Sequence, residues 1–338
     1  MKDKIIPDDI KKILCIKPRG IGDIILSTII LENLHSFFPN AQIHYLTEEF
    51  AKDSVISHPL INKVLTYNKD DSLFFIIKMI RKEKYDIIFD LYSNPKTAQL
   101  TFFSGAKIRI GYAYRGRGYA YNIKSKIGRG DTHSAEHNLE LLKIAGIPII
   151  SKNITFNLPK ESKEFAKSFF HNVTRNKFLI GVIPSGGWDS KKCPKDKWIQ
   201  IMKSLSKEIS CSFLILWGPD DFEDAKFIKK EIDDSLLAPK TNLIQMAGLI
   251  NQCNLVIAND SGPMHLSAAL GIPTLGLFGP TNPKKHGPYS NNSDYVIKSD
   301  LHCIICNKLL CPYNKECFHQ MDLNEIILKA IKLLKIND

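Results

Sequence analysis

Two series of short apolar runs, spaced by helical patterns, constrain this chain more than any other feature. In the first half the runs are ILCIKP (13–18), AQIHYLT (41–47), KVLTY (63–67), YDIIFDLY (85–92) and KIRIGY (107–112). In the second they are FLIGVIPSGG (178–187), SFLILWGP (212–219), NLVIAND (254–260) and TLGLFGP (274–280), each closed by a Gly- or Asp-bearing turn. Short apolar strands alternating with helices predict an α/β chain, with parallel sheets covered by helices on both faces. Helical patterns cover 23–38, stopped by Pro39-Asn40, and 70–84. The polar stretch SKNITFNLPKESKEF (151–165) parts the two series, so the expected domains are 1–165 and 166–320. The closing segment DLNEIILKAIKLLK (322–335) opens on Asp322 and Glu325, a capping-box spacing. Its Ile326, Ile327, Ala330, Ile331 and Leu334 share one face, which predicts a docking helix over 321–338.

The length of 338 residues suits two domains, and 44% hydrophobic with 24% charged residues excludes a disordered chain. A formal charge of +11 suits an anionic partner: nucleic acid, a membrane face or a phosphorylated substrate. A Lys-rich proteome gives the same excess. The opening MKDKIIPDDIKK has no apolar core of a signal peptide, and no apolar run approaches the ~20 residues of a spanning helix. The expected location is cytoplasmic, peripheral at the inner face of the inner membrane. In a reducing compartment, the eight cysteines favour free thiols or metal ligands over disulfides.

Ligands of open α/β sheets sit beyond the carboxyl ends of the strands, so the turns there carry the chemistry. The first is RGIGD. Gly20 and Gly22 open like a dinucleotide fingerprint, but Ile25 holds the third glycine position and Asp23 sits where a pyrophosphate would be repelled. That disfavours a nucleotide-dependent oxidoreductase. The two glycines thin the turn for an acceptor, and Asp23 can take a proton from its hydroxyl. Asp23 also suits the helix dipole without any catalytic role.

The second half has three such turns. In NDSGPMHLSAALG, Asn259-Asp260 end a strand, Ser261-Gly262 turn, Pro263 suits a helix start and Gly271 suits its end. The helix N-terminus is a phosphate seat, and His265 lies in its first turn, as a ligand group or as a structural histidine. In IPSGGWDSKKCP, Ser185, Gly186 and Gly187 form a turn that a donor can approach, and Lys191 or Lys192 reaches a phosphate as a point charge. In ILWGPDD, Asp220 takes a ribose hydroxyl pair or stays a turn carboxylate.

RGIGDIILSTIILENL, SKKCP and NDSGPMHLSAALGIPTLGLFGPTNP together resemble glycosyltransferase family 9, the lipopolysaccharide heptosyltransferase family, with likeness running from about residue 12 to about residue 335. The resemblance implies a GT-B fold, two Rossmann-like domains facing across a cleft, with the acceptor on the first and the nucleotide sugar on the second. It implies inverting, metal-independent transfer, typically of heptose from ADP-heptose to the lipopolysaccharide core or a related surface glycan; another nucleotide sugar is the alternative. It assigns Asp23 as base, Lys191 as the phosphate-binding lysine and Asp220 as the ribose carboxylate. Asp260, Ser261, Gly262 and His265 correspond to its donor pyrophosphate block. Two departures stand out. Cys193 replaces the family's Trp, and MAGLINQCNLVIAND is short by about one helix, on the order of ten residues.

Two features stand apart from this block. Residues 105–130 carry seven basic residues, four tyrosines and no acid. Such a stretch can bind single-stranded nucleic acid, or remain a solvated loop. Its place in the acceptor domain favours an anionic glycolipid held by Arg115 and Arg117, with Tyr faces on sugar rings and no nucleic acid. Cys303, Cys306, Cys311 and Cys317 follow a C-x2-C-x4-C-x5-C spacing. Four such thiolates can hold a structural zinc, with His302 as a spare ligand; free thiols or a disulfide are the alternatives. No cofactor is expected for catalysis.

Overall fold

The structure, a computed structural model, describes residues 5–128, 130, 132–173 and 177–335. Arg129 of the basic stretch and residues 336–338 of the expected closing helix lie outside the described residues. The first sheet contains β1 (Lys12–Ile16), β2 (Gln42–Glu48), β3 (Lys63–Tyr67), β4 (Ile87–Asp90), β5 (Ile108–Tyr112) and β6 (Ile123–Ser125). The second contains β7 (Phe178–Ile183), β8 (Cys211–Ile215), β9 (Ser235–Leu237), β10 (Leu255–Asn259), β11 (Thr274–Phe278) and β12 (Ser293–Ile297). Their orders are β3-β2-β1-β4-β5-β6 and β12-β11-β10-β7-β8-β9. Both are the same doubly wound order, and the described pairings are parallel. Two Rossmann-like units in one chain are the components of the GT-B fold.

The central strands β4, β10 and β11 are buried along their whole length, which is why they read as unbroken apolar runs. The sequence pattern missed β6, β9 and β12. All three lie at or near sheet edges, and IKS, SLL and SDYVI are too short or too polar to show an apolar run. The expected helix over 23–38 is two α-helices, Ile21–Ser27 and Leu31–Phe37, joined by a tighter turn. Ser27 and Thr28 donate their hydroxyls back to the carbonyls of Ile24 and Ile25, both at 2.7 Å, which bends a helix.

The chain divides after Asn157, not at the expected 165/166. Residues 150–157 are tied to the first unit. Buried Asn33 accepts from the Ile150 and Ser151 amides at 2.7 and 3.0 Å and donates to the Ser151 carbonyl at 2.9 Å. Ser57 donates to the Asn157 carbonyl, and His58 Nε2 bonds the Thr155 hydroxyl. The next helix, Lys160–Phe169, packs on Leu243–Ile250 of the second unit instead. A Cβ on Gly248 would fall 2.1 Å from the Ser162 carbonyl, so only glycine permits this approach. The closing helix, Leu323–Lys335, is no appendage either: Ile326, Ile327, Ala330, Leu333 and Leu334 belong to the core of the second unit.

Burial lowers the pKa of His58 to about 4. The unfolded chain then binds more protons than the folded one between pH ~6.5 and that value, so stability is full above this window and falls as pH drops through it. The loss should reach at most about 3 kcal/mol. Melting temperatures at pH 7.5 and 5 should differ less for His58→Gln than for the wild type; an equal difference removes His58 as the cause.

Candidate active site

Each sheet reverses its winding between its two middle strands, β1 beside β4 and β7 beside β10. In the first unit β1 runs into Lys17–Gly20 and the helix that starts at Ile21. Gly20 has φ +85°, and a Cβ there would lie 2.7 Å from Asp23 Oδ2. The glycine is thus what lets the Asp23 carboxylate fold back over the turn. Asp23 stays partly exposed, while Gly22 is buried. Two cations flank the turn: Lys17 Nζ donates to the Leu91 carbonyl at 3.2 Å, and Arg19 pairs with Glu48 at 2.8 Å.

The neighbouring turn after β4 is rigid. Buried Asp90 accepts from the Tyr92 and Ser93 amides and from the Tyr121 hydroxyl, at 3.1, 2.7 and 2.7 Å. Burial raises its carboxyl above the usual range against the pull of these bonds. Tyr121 reaches Asp90 because Gly111 has no Cβ, which would lie 2.4 Å from its ring.

The basic stretch divides by role. Arg109 donates to the Ala120 and Ala106 carbonyls and is structural. Arg115 is exposed, and the buried Arg117 Nε has no hydrogen-bond partner among the described residues. The expectation of open tyrosine faces is corrected. Tyr112 and Tyr121 are buried, and Tyr112 is stacked on Tyr114 and on His137 at 5.1 and 4.4 Å. Of the four, Tyr119 is the exposed one.

In the second unit fully buried Asn259 holds the switch point together. It donates to the Pro184 carbonyl at 2.6 Å and accepts from the Cys193 amide at 3.4 Å, bracketing the turn that carries Lys191. Lys191 Nζ lies 2.7 Å from Asp260 Oδ2 and 3.8 Å from the centre of the Trp188 ring. The Thr281 hydroxyl donates to the same Asp260 oxygen at 2.6 Å. Ser261 is the N-cap of the helix Gly262–Ala269, but its side chain makes no capping bond. Its Oγ and the Trp188 Nε1 are buried without a hydrogen-bond partner among the described residues. His265 is buried on the first turn of that helix, and Gly271 follows its end at φ +77°.

A second ion pair stands beside the first. Lys192 Nζ meets Asp221 at 2.5 Å, and Ser185 Oγ accepts from the Gly218 amide at 2.9 Å. Gly186 lies beneath the two lysines; its Cβ would come within 3.0–3.2 Å of Lys192 Cγ and of the Lys191 backbone and Cβ. Gly187 is open. Asp220 is exposed, whereas Asp221 is buried and paired. Lys191, Asp260, Ser261, Gly262 and His265 therefore share one end of the sheet, and Ser185 and Gly186 border it. Trp188, Asp221, Asn259 and Thr281 were not singled out in the sequence; the aromatic in SGGWD and the hydroxyl in GPTNP were their only traces.

Cys303, Cys306, Cys311 and Cys317 line one small enclosed cavity with Ser190, Gly279 and Pro280. All four are free thiols. Burial, then the three neighbouring cysteines, pushes Cys317 up to about 12. Among the described residues, no three His, Cys, Asp or Glu side chains already form a metal-ligand group. His302 turns away, its ring edge-on to Tyr313. Cys193 is buried in the core of the second unit, and the short segment passes from the helix Leu243–Ile250 to β10 through residues 251–254 alone.

The profile of glycosyltransferase family 9 (heptosyltransferase) matches residues 74–316. Lipopolysaccharide heptosyltransferase 1 of Campylobacter coli is 25% identical over 348 residues, covering 96% of this chain and 98% of its own. Among solved structures, the family 9 glycosyl transferase of Veillonella parvula DSM 2008 superposes with a TM-score of 0.87 at 23% identity, covering 98% and 99% of the two chains. Escherichia coli heptosyltransferase WaaC with ADP superposes with a TM-score of 0.68 at 21% identity, covering 84% and 92%. The two structural likenesses carry the fold, and the profile, which spans most of the chain, carries the family. The chain belongs to glycosyltransferase family 9, the heptosyltransferase family, and is a glycosyltransferase.

Proposed function

We propose that this enzyme transfers a heptose from ADP-heptose to an anionic lipopolysaccharide-core or related glycan acceptor, inverting the anomeric centre without a metal in the step. The observation that carries the donor half is Lys191. It is held between Asp260 and Trp188, beside two buried donors without partners and the start of a helix. These groups suit a diphosphate, whose charge the helix end and the ammonium both attract. The relatives' named activity and the ADP in the WaaC structure support the choice of sugar and nucleotide.

In this reading Asp23 removes the proton of the acceptor hydroxyl as its oxygen attacks the anomeric carbon. The bond from that carbon to the diphosphate breaks on the opposite face. The leaving ADP gathers negative charge, which Lys191 and the free amides of the helix from Gly262 meet. Asp260, fixed by Thr281, aims the ammonium. Arg117 and Arg115 attract the anionic acceptor.

The donor is tested by thermal shift with nucleotide diphosphates and their sugars. ADP-heptose and ADP should raise the melting temperature most. A shift with UDP or GDP sugars alone would assign another donor, the reading that the short 246–255 segment favours.

For the acceptor to be lipid-borne, the enzyme must work at a membrane, here proposed as the cytoplasmic face of the inner membrane. No helix of the described residues is long and apolar enough to cross one. Support for a peripheral contact comes from the helix Leu73–Glu83, which exposes Phe74 and Phe75 at 77% and 54% beside Lys78, Arg81 and Lys82. Phe102 and Phe103 are also exposed, and Arg81 donates to the Phe103 carbonyl. Aromatics ringed by cations suit an anionic bilayer. Phe74→Ser with Phe75→Ser should weaken binding to phosphatidylglycerol vesicles at least about tenfold; unchanged binding places the contact elsewhere.

A further inference from the structure

We propose that the four-cysteine segment binds one transition-metal ion as a tetrathiolate, and that this site braces the diphosphate seat. The metal half stands alone; the bracing half rests on the donor-site reading above.

The segment from Asp300 to Lys315 has no helix or strand, and Leu309 and Leu310 are 64% and 74% exposed. Little apolar burial holds it. Its backbone is nonetheless specific. Ile305, Asn307, Asn314 and Lys315 all have positive φ, four of the seven such non-glycine residues described. For β-branched Ile305, at φ 59°, this is a true outlier. Such conformations persist only where surrounding structure over-determines them. What this loop presents inward is four thiols on one enclosed cavity. The Lys315 amide donates to Cys311 Sγ at 3.2 Å, a bond that a thiolate ligand strengthens.

Soft sulfur donors at C-x2-C spacing select zinc or iron, and four of them close a tetrahedral shell. The thiols share the cavity without yet forming that shell. On binding, each gives its proton to solvent and the sulfurs draw in to about 2.3 Å from the ion. An irregular loop can close in this way where a helix could not.

The loop grips both partners of Asp260. On one side the Ser190 amide donates to the Leu309 carbonyl at 3.1 Å, the Ser190 hydroxyl donates to the Lys308 carbonyl, and Lys315 pairs with Asp189 at 2.9 Å. The next residue is Lys191. On the other side the Ile305 and Asn307 amides donate to the Gly279 and Pro280 carbonyls, at 3.3 and 2.8 Å. The next residue is Thr281. A metal that fixes the loop therefore fixes the two groups that hold the Asp260 carboxylate.

The test uses the full chain, purified anaerobically from cultures supplied with zinc or with iron. Elemental analysis should give about one metal per chain. Visible sulfur-to-iron absorption would identify iron, and its absence with bound zinc would identify zinc. Cys303→Ser with Cys306→Ser should lose the ion, while His302→Ala keeps it. The double variant should bind ADP about tenfold more weakly, within the usual range for coupled sites. It should also be cut faster by trypsin after Lys191 and Lys192, a readout independent of ADP. Wild-type protein with less than about 0.1 metal per chain from both cultures, or with two disulfides by mass, overturns the metal site. A folded double variant with unchanged cleavage at Lys191 and Lys192 overturns the bracing. Metal-loaded wild type that does not bind ADP refutes the donor reading and leaves the metal site standing.

Discussion

Asp23→Asn should lower turnover by ~10²–10⁴-fold while the fold and ADP binding stay intact. The change is nearly isosteric and removes only the proton acceptor. The amide keeps the position over Gly20, since that glycine lacks the Cβ that would meet the side chain at 2.7 Å. The stability cost should be small, because a carboxylate on the first turn of a helix contributes only about 0.3–1 kcal/mol through the dipole. Asp23 also lies in the first unit, whereas the proposed ADP contacts lie in the second. A loss confined to kcat, with ADP melting shifts unchanged, is therefore the signature of a base. Near-normal turnover with the true substrates would sink the assignment, and a parallel loss of ADP binding would make Asp23 structural. Gly20→Ala gives an orthogonal check. It should cost more stability than Asp23→Asn, because it meets both a positive φ and the carboxylate.

The central strands and their turns were legible because burial on both faces writes itself as an uninterrupted apolar run. The edge strands were not, since SLL and IKS carry no such run. The junction was misplaced for a related reason. Residues 151–165 are uniformly polar, and only the bonds from Asn33, Ser57 and His58 show that the first part stays with the first unit. At the site, one-dimensional reasoning finds residue types and not directions. Asp220 and Asp221 are adjacent and chemically equal, yet one is exposed and the other is buried against Lys192. The tyrosines of 112–121 read as a stacking surface, but Tyr112 already spends its faces on Tyr114 and His137. Thr281 is distant in sequence from its partner Asp260 and close only because β10 and β11 pair. The four cysteines were the reverse case: spacing alone grouped them, and the fold places them on one cavity.

Lys191→Ala should reduce kcat/KM by ~10²–10³-fold, the cost of removing one positioned donor to a charge that grows in the transition state. Two effects combine. The leaving diphosphate loses its cation, and Asp260, only 7% exposed at its side chain, loses its ion-pair partner. The carboxylate then stands with the Thr281 hydroxyl alone, at the helix start where the diphosphate must sit, and repels it. Breaking such a pair should also cost up to about 3 kcal/mol of stability, at the low end of the range for buried pairs because Lys191 keeps 13% exposure. The two effects separate in a cycle. Lys191→Ala combined with Asp260→Asn should recover ADP affinity and melting temperature relative to Lys191→Ala, because the uncompensated anion is gone, yet kcat should stay low. Simple additivity would show that the 2.7 Å pair carries no coupling. Lys192→Ala should do less, since its partner Asp221 lies away from the Gly262 helix start, at the turn after β8. An equal or larger loss from Lys192→Ala would transfer the phosphate role to that residue and to the Ser185–Gly218–Asp221 side of the turn.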